Sequence, residues 1–182
     1  MKILFPSSWK GTNGFFRSDG QTPIMRVRIA AADDLRTLLE LNAFVQRQHA
    51  EAFPRLFKPP ADSQQSIDAY RAILENSDSL VLLAETAVPA GYLYAQFQNR
   101  PTSWARLELQ LLYIHQVVVA PKFRRQGVGT LLLSTALNMA RSRRIGRVEL
   151  DVWSFNSAAR HFYAKHGFEV FNERMLRSID RD

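Results

Sequence analysis

Apolar and polar positions change their spacing several times along the chain, and each change predicts a new element. Leucines between Leu35 and Val45 recur at helical spacing, whereas residues 25–29 alternate as a strand does. Acidic residues at Asp33 and Asp34 favour a helix start there. The predicted elements are a strand at 25–29, helices at 33–49 and 62–75, strands at 79–86, 91–98 and 107–119, a helix ending near Arg143, a strand at 147–153, a helix at 156–165 and a strand at 168–179.

The order of these elements predicts a mixed α/β fold. Strands 79–86 and 91–98 are separated by a short segment containing Pro89, which favours an antiparallel hairpin. The segment 107–153 reads as strand, helix and strand, an order that requires its two strands to lie parallel. Gly167 follows the last helix and is expected to end it in the left-handed conformation. The sheet is therefore antiparallel at the front, with one parallel crossover.

Residues 1–24 differ from the remainder of the chain. They carry serine, glycine and asparagine turn chemistry with no sustained period, and Met25 begins the first alternating strand. We interpret residues 1–24 as an N-terminal extension or a mis-annotated start, and residues 25–182 as one domain.

Composition limits the classes of protein to be considered. A chain of 182 residues with 46% apolar and 23% charged content is typical of one globular domain. No cysteine occurs, which excludes disulfide frameworks and thiolate chemistry and agrees with a cytoplasmic location. No apolar run reaches the roughly 20 residues that span a bilayer, and we expect neither membrane nor metal binding. The net charge of +7 suits a polyanionic partner, such as nucleic acid, a membrane surface or a phosphorylated cofactor.

The segment 113–133 carries the first candidate chemistry. A β-branched run ends at Pro121, which has no N–H for a strand ladder. Gly127 and Gly129 then precede leucines at helical spacing, which predicts a helix whose first N–H groups are free and at the positive end of its dipole. Phosphates bind at such a position. The alternative is a strand, a turn and a helix with no ligand, as in many α/β proteins.

Basic residues surround this helix without any acidic partner between positions 121 and 147. Arg124 and Arg125 lie beside the glycines, where the helix dipole disfavours cations, so a bound polyanion explains them best. The dipole itself favours cations at the other end of the helix, and we interpret the cluster there as structural: Arg141, Arg143, Arg144 and Arg147.

A second candidate lies in the last predicted helix. Asn156, Ala159 and Tyr163 are spaced to share one helix face. A small residue beside a phenol lets a ligand approach and offers it a hydroxyl. The alternative is an Asn N-cap and a tyrosine packed in the core.

Together the two patterns, Arg124-x-x-Gly127-x-Gly129 after a strand and Asn156-x-x-Ala159-x-x-x-Tyr163 on a later helix, resemble the GNAT superfamily of acetyl-CoA-dependent N-acetyltransferases. The resemblance extends over residues 25–179. It implies a mixed, mostly antiparallel central sheet flanked by helices, whose parallel strands four and five splay apart around acetyl-CoA. Here those strands would end at Val119 and Trp153.

The resemblance also implies site residues. Main-chain groups of Val117, Val118 and Val119 would pair with the pantetheine arm, and an N–H near Val117 would polarise the thioester carbonyl. Tyr163 would protonate the departing CoA thiolate. The remaining cofactor-binding residues implied are Arg124, Arg125, Gln126, Gly127, Val128, Gly129, Thr130, Asn156 and Ala159.

Several residues are candidates for the general base. Many family members carry a Glu at the position of His115, whereas this chain has His115 and Gln116. His115 suits a base near neutral pH, although a structural, hydrogen-bonded histidine is an equal alternative. Glu108, earlier on the same predicted strand, is a candidate that acts through water. Weaker candidates are Glu149 and Asp151.

In the family the first two helices and their connection shape the acceptor pocket, which here means residues 42–65, with Phe53 and Phe57 interpreted mainly as packing residues. The polar and aromatic candidates there are His49, Glu51, Phe53, Arg55, Phe57 and Lys58.

The leading hypothesis is direct acetyl transfer to a primary amine of a small molecule or protein, without an acyl-enzyme. The alternatives are an acyl-CoA sensor without turnover and, less favoured, a nucleic-acid-binding domain. The oligomeric state is left open, with a homodimer as one alternative.

Overall fold

The computed structural model describes residues 12–13 and 25–179. The chain divides into two compact units, Met1–Leu150 and Asp151–Asp182. The first contains the whole sheet and three of the described α-helices, and the second contains the last described helix.

The elements follow the predicted order. The strands are β1 (Thr12–Asn13), β2 (Arg26–Ile29), β3 (Ser79–Glu85), β4 (Pro89–Arg100), β5 (Leu109–Val119) and β6 (Val148–Leu150). The helices are α1 (Leu35–Ala52), α2 (Gln64–Glu75), α3 (Val128–Ser142) and α4 (Ser157–Lys165), with short 3-10 turns at Ala32–Asp34 and Pro121–Phe123.

These strands form one six-stranded sheet in the order β1-β2-β3-β4-β5-β6. Each neighbouring pair from β1 to β5 is antiparallel, and β5 pairs with β6 in parallel. The mixed, mostly antiparallel sheet and its single parallel pair are therefore confirmed.

The two faces of the sheet are covered by different helices. Leu38 of α1 and Tyr70 of α2 lie in one buried cluster with Tyr92 and Val118 of the sheet. Because strand side chains alternate, the buried Leu93 between Tyr92 and Tyr94 faces the other side. Helix α3 contacts β3, β4 and β5 and buries a continuous apolar stripe, which we assign to that opposite face.

An ion cluster ties the start of α1 to the sheet. Arg28 on β2 donates to both carboxylate oxygens of Asp34 at 2.7 Å, and Asp34 also accepts from the Ala31 N–H at 2.7 Å. Glu85 on β3 accepts from Arg28 at 3.2 Å and from Arg26 at 2.7 Å. Hydrogen bonding from Arg28 lowers the pKa of Asp34. Asp34, which the sequence predicts at the helix start because of the dipole, therefore also forms an ion pair with Arg28.

Some predicted bounds differ from the observed ones. The strand predicted at 147–153 ends at Leu150, where the first unit also ends. The strand predicted at 168–179 is wrong, because these described residues form no ladder and Val170 and Ile179 are 67% and 85% exposed. Charged residues from Glu173 onward interrupt the alternation that a half-buried strand requires.

Within the predicted N-terminal extension, the structure describes only Thr12 and Asn13. Thr12 pairs with Val27 of β2, and Asn13 pairs with Arg26. The other residues of that extension, like the last three of the chain, lie outside the described residues. In the described part of the chain, no helix combines the length and the apolar character needed to cross a membrane.

Gly91 permits the close approach of β4 and β5. A Cβ at this position would lie 2.3 Å from the Val118 carbonyl oxygen and 3.1 Å from the Val119 Cα. Both neighbours are backbone atoms, so the strands themselves would have to move.

We therefore expect Gly91→Ala to destabilise the protein by about 2 kcal/mol, the size typical of an overpacked core. Urea denaturation measures the change. Gly146→Ala is the matched control, because no atom lies within 4 Å of a Cβ built there, and its effect should stay within about 0.5 kcal/mol. Equal effects at the two positions would contradict the close approach.

Candidate functional site

The candidate site begins where β5 and β6 separate. Their parallel register extends from Leu112 opposite Val148 to Ile114 opposite Leu150, and β6 ends there. Strand β5 continues to Val119, still paired with β4 on its other side. The last part of β5 therefore extends beyond its parallel partner, which is the divergence expected of the fourth and fifth family strands.

The free edge of β5 has defined main-chain directions. The Ala120 N–H donates to the Ala90 carbonyl at 2.9 Å, which makes these residues a hydrogen-bonded pair. Such pairs alternate with non-hydrogen-bonded ones in antiparallel sheets. The N–H and C=O groups of Val117 and Val119 consequently point away from β4, whereas those of Val118 point toward it. Only two of the three predicted valines present main-chain groups at the edge.

A β-bulge lies immediately before that edge. Tyr94 on β4 pairs with Gln116, but the next residue Ala95 pairs with Ile114, so His115 is the extra residue on β5. Without the bulge, alternation would place His115 and Gln116 on opposite faces. Instead, both side chains contact residues of the face covered by α1 and α2, namely Tyr94 and Tyr70.

The imidazole of His115 is held on three sides. Its ring stacks on Tyr94 with centroids 4.6 Å apart and an interplanar angle of 14°, and it meets Tyr113 edge-on at 4.8 Å. Its Nε2 atom lies 2.9 Å from Oε1 of Gln96. Partial burial lowers the pKa of His115 below its ordinary value of 6.5. A neutral imidazole able to accept a proton therefore prevails at pH 7.

Two of the predicted acidic candidates have defined surroundings. Glu108 precedes the first residue of β5 and is exposed. At about 3.3 Å per residue along an extended chain, Glu108 lies about 23 Å from His115. Glu149 accepts from Arg100 at 2.9 Å and from Arg147 at 2.7 Å, so its carboxylate is already paired.

Sequence reasoning missed the side chains that contact His115 and its neighbour Gln116. Tyr92, Tyr94 and Gln96 occupy alternate positions on β4, a period-two signal that places them on one face. Next to them, the hydroxyls of Tyr70 and Tyr92 lie 2.8 Å apart, and the Tyr70 hydroxyl donates to Gln116 at 3.1 Å. The alternation along β4 can be recognised in the sequence, but which β4 residues lie beside His115 depends on the bulge in β5.

The glycine loop connects the free edge of β5 to α3. Arg125 and Gly127 both have positive φ, at 62° and 82°. Gly127 is the N-cap of α3, and among the residues that the structure describes no side chain caps this helix. Its first turn closes with the Leu131 N–H donating to the Gly127 carbonyl at 2.9 Å. The N–H groups of Val128, Gly129 and Thr130 have no preceding carbonyl within the helix. The geometry therefore supports the predicted anion site.

Three of the four arginines at the end of α3 make side-chain contacts within the protein. Arg143 lies over the Phe97 ring at 3.8 Å, Arg147 pairs with Glu149, and Arg141 donates to Asn138 at 2.8 Å. Arg144 has φ 58° and occupies the position after the C-cap. The three side-chain contacts hold Arg141, Arg143 and Arg147 within the protein.

At the other end of α3, the basic residues lie on the loop surface. Arg124, Arg125 and Gln126 are exposed. Arg124 Nε donates to the Val119 carbonyl at 3.3 Å, and Gln126 donates to the Lys122 carbonyl at 2.8 Å. The first bond links the loop to the free edge of β5.

The second unit contains the other predicted residues. The Asn156 side chain accepts from the Ala159 N–H at 3.0 Å and caps α4, as the structural alternative stated. Gly167, with φ 82°, ends the helix in the left-handed conformation as predicted. Its N–H bonds to Ala164, and the Phe168 N–H bonds to Tyr163, the pattern of a Schellman motif.

This motif also fixes the ring of Tyr163. The Phe168 ring meets it edge-on with centroids 5.6 Å apart, which is the apolar contact expected across a Schellman motif. Burial raises the pKa of Tyr163 to about 12. The phenol therefore stays protonated at neutral pH.

A shallow pocket of about 460 Å³ lies at the end of α1, inside the predicted acceptor region. Arg47 and Glu51 are charged residues at its wall, and the remainder is mainly apolar, including Phe57 and Pro59. His49 stacks on Phe57 at 4.9 Å, so both rings have a packing role. Among the residues that the structure describes, no group of three or more His, Asp or Glu side chains is arranged to hold a metal ion.

Known proteins resemble this chain in sequence. A sequence profile described as the acetyltransferase (GNAT) family matches residues 38–168. The chain is 35% identical over 95 residues to the L-ornithine N5-acetyltransferase NATA1 of Arabidopsis thaliana, covering 52% of this chain and 40% of that protein. The chain thus spans less than half the length of this relative.

Solved structures share the fold. A Bacillus halodurans protein, crystallised as a point mutant, superposes with a TM-score of 0.79 at 20% identity over 84% of this chain and 98% of its own. An aminoglycoside N-acetyltransferase in complex with CoA gives a TM-score of 0.66 at 16% identity over 89% of this chain and 98% of its own.

The helix start can be tested at Gly129, which lies in the first turn of α3 and lacks positive φ. We expect Gly129→Leu to weaken CoA binding at least tenfold, because the new side chain blocks close approach to the amides. Helix propensity improves by about 1 kcal/mol, so folding should be preserved. Calorimetry measures affinity, with the exposed Asn138→Leu on the same helix as control. Unchanged affinity in Gly129→Leu would refute the anion site.

Proposed function

This chain belongs to the GNAT acetyltransferase family, and we propose that it transfers the acetyl group of acetyl-CoA directly to a primary amine. The observation that carries the proposal is the continuous path from the free main-chain edge of Val117 and Val119 to the uncapped start of α3. An extended ligand arm can pair with the former, and a phosphate group with the latter.

The cofactor contacts follow from these two features. The outward main-chain groups of Val117 and Val119 would hydrogen-bond the pantetheine arm, and the Val117 N–H would polarise the thioester carbonyl. Val118 would support that edge by packing in the core, where it is 3% exposed. The amides from Arg125 to Thr130 would bind the pyrophosphate. Exposed Arg124 and Arg125 would add charge at the loop.

Proton transfers complete the reaction. His115 would take a proton from the acceptor ammonium, which frees the nitrogen lone pair to attack the thioester carbonyl carbon. The attacking nitrogen releases its second proton to solvent, the carbon–sulfur bond breaks, and the CoA thiolate leaves. By family resemblance, we assign Tyr163 as the acid that protonates this thiolate and Asn156 and Ala159 as cofactor contacts. The raised pKa of Tyr163 supports its protonated state before the reaction.

A catalytic role is preferred over that of a silent acyl-CoA sensor. The sensor hypothesis arises from the missing glutamate on β5, but His115 provides a neutral base at that position. The absence of cysteine agrees with a reducing compartment, and we propose a cytoplasmic location.

For the acceptor we propose a small molecule that carries a primary amine. The pocket at the end of α1 offers an apolar wall with Arg47 and Glu51 at its margin, which suits a compact polar molecule. Ornithine, named for one relative, and aminoglycosides, named for one structural neighbour, are the first compounds to examine.

The function is tested by mixing the full chain and acetyl-CoA with a panel of ornithine, aminoglycosides and short peptides. Because the chain has no cysteine, a thiol reagent detects released CoA without a protein background. We expect release that depends on the acceptor. CoA binding by calorimetry without release above the acceptor-free rate, for every amine, would favour the sensor instead.

The acid assignment is tested by Tyr163→Phe, which keeps the ring packed on Phe168 and removes only the hydroxyl. We expect kcat to fall about 100-fold, the lower range for general acid catalysis, with little change in the Kd for acetyl-CoA. His161→Gln, an exposed change on the same helix, is the control. If kcat is retained in Tyr163→Phe, the tyrosine serves packing alone.

A further inference from the structure

The contact between His115 and Gln96 determines which imidazole nitrogen carries the proton. Nε2 of His115 lies 2.9 Å from Oε1 of Gln96. An amide oxygen only accepts hydrogen bonds, so Nε2 must be the donor. In a neutral imidazole the lone pair then resides on Nδ1. The nitrogen available as a base is therefore Nδ1.

We propose that Gln96 is a positioning residue for acetyl transfer, which holds His115 in the Nε2-protonated tautomer and leaves Nδ1 to receive the proton of the acceptor amine. This proposal rests on the function proposed above, in which His115 is the base. Gln96 does not contact the reacting atoms and acts only through the imidazole.

The surrounding strands make this contact specific. Gln96 pairs with Tyr113 on β5, and His115 is the bulge residue two positions later. The bulge brings the imidazole back over β4, where Tyr94 supports its face and Tyr113 its edge. Tyr94 and Tyr113 are the phenols that pack on the ring, and burial raises the pKa of Tyr94 above its ordinary value. With the ring plane fixed by stacking, the Gln96 oxygen selects the tautomer.

The first test replaces Gln96 with leucine and with glutamate. In Gln96→Leu the tautomer is no longer fixed, and we expect kcat to fall about tenfold, as is typical when a partner of a functional histidine is removed. The KM for acetyl-CoA should be unchanged. Gln98→Leu, two positions along β4 and bonded to Arg100 at 3.3 Å, is the matched control and should retain wild-type kcat.

Gln96→Glu keeps the size and acceptor atoms but adds a negative charge. A carboxylate favours the imidazolium and raises the pKa of His115. The acidic limb of the kcat/KM profile should therefore move to higher pH by about one unit. If Gln96→Leu fails to fold, Gln96→Glu still tests the contact, because its side chain has nearly the same size as that of glutamine.

Imidazole ¹⁵N NMR provides a readout that does not require activity. We expect wild-type His115 to show the Nε2-protonated tautomer and Gln96→Leu to show a mixture of tautomers. A wild-type Nδ1-protonated ring, or an identical tautomer and pH profile in all three proteins, would overturn the proposal. Wild-type protein without acetyl transfer would instead contradict the proposed function, while the tautomer would still be measured.

Discussion

Main-chain N–H and C=O groups in a sheet require partners, and the early end of β6 determines where this sheet leaves them available. Pairing between β5 and β6 covers only Leu112 to Ile114, whereas β5 extends to Val119. An unpaired strand edge favours the addition of another extended chain. We propose that the added chain is the pantetheine arm of the cofactor, and the helix that follows β5 begins with amides that have no partner within the helix. Because β5 is longer than β6, its unpaired end directly precedes, along the chain, the loop that leads to the start of α3.

The bulge at His115 determines which face of the sheet His115 and Gln116 share. A regular strand would direct His115 and Gln116 to opposite faces, but the extra residue turns both toward the side of α1 and α2. The imidazole then lies against Tyr94 and Gln96 while staying partly accessible to solvent. A local irregularity in β5 therefore orients the histidine that we propose as the base. The main-chain edge immediately after it remains regular, so the proposed sites of cofactor binding and proton transfer lie on adjacent segments.

Much of this arrangement could be predicted from the sequence, since local patterns determine it. Helical spacing gave α1 and α3, Pro121 marked the end of β5, and Gly167 marked the end of α4. Features that depend on non-local register were not predictable. The bulge exists only relative to Tyr94 and Ala95, and the strand predicted at 168–179 would need a partner edge that the sequence does not identify. Glu108 seemed close to His115 in sequence, although an extended chain separates them widely.

Amide hydrogen exchange of the β5 valines, with and without acetyl-CoA, tests the central claim most directly. The amide of Val118 is bonded toward β4 and should exchange slowly in both states, whereas the amides of Val117 and Val119 point to the free edge. The account predicts that acetyl-CoA slows exchange at Val117 and Val119 and leaves Val118 unchanged. Equal exchange of Val117 and Val119 with and without acetyl-CoA, under conditions where calorimetry shows binding, would contradict it.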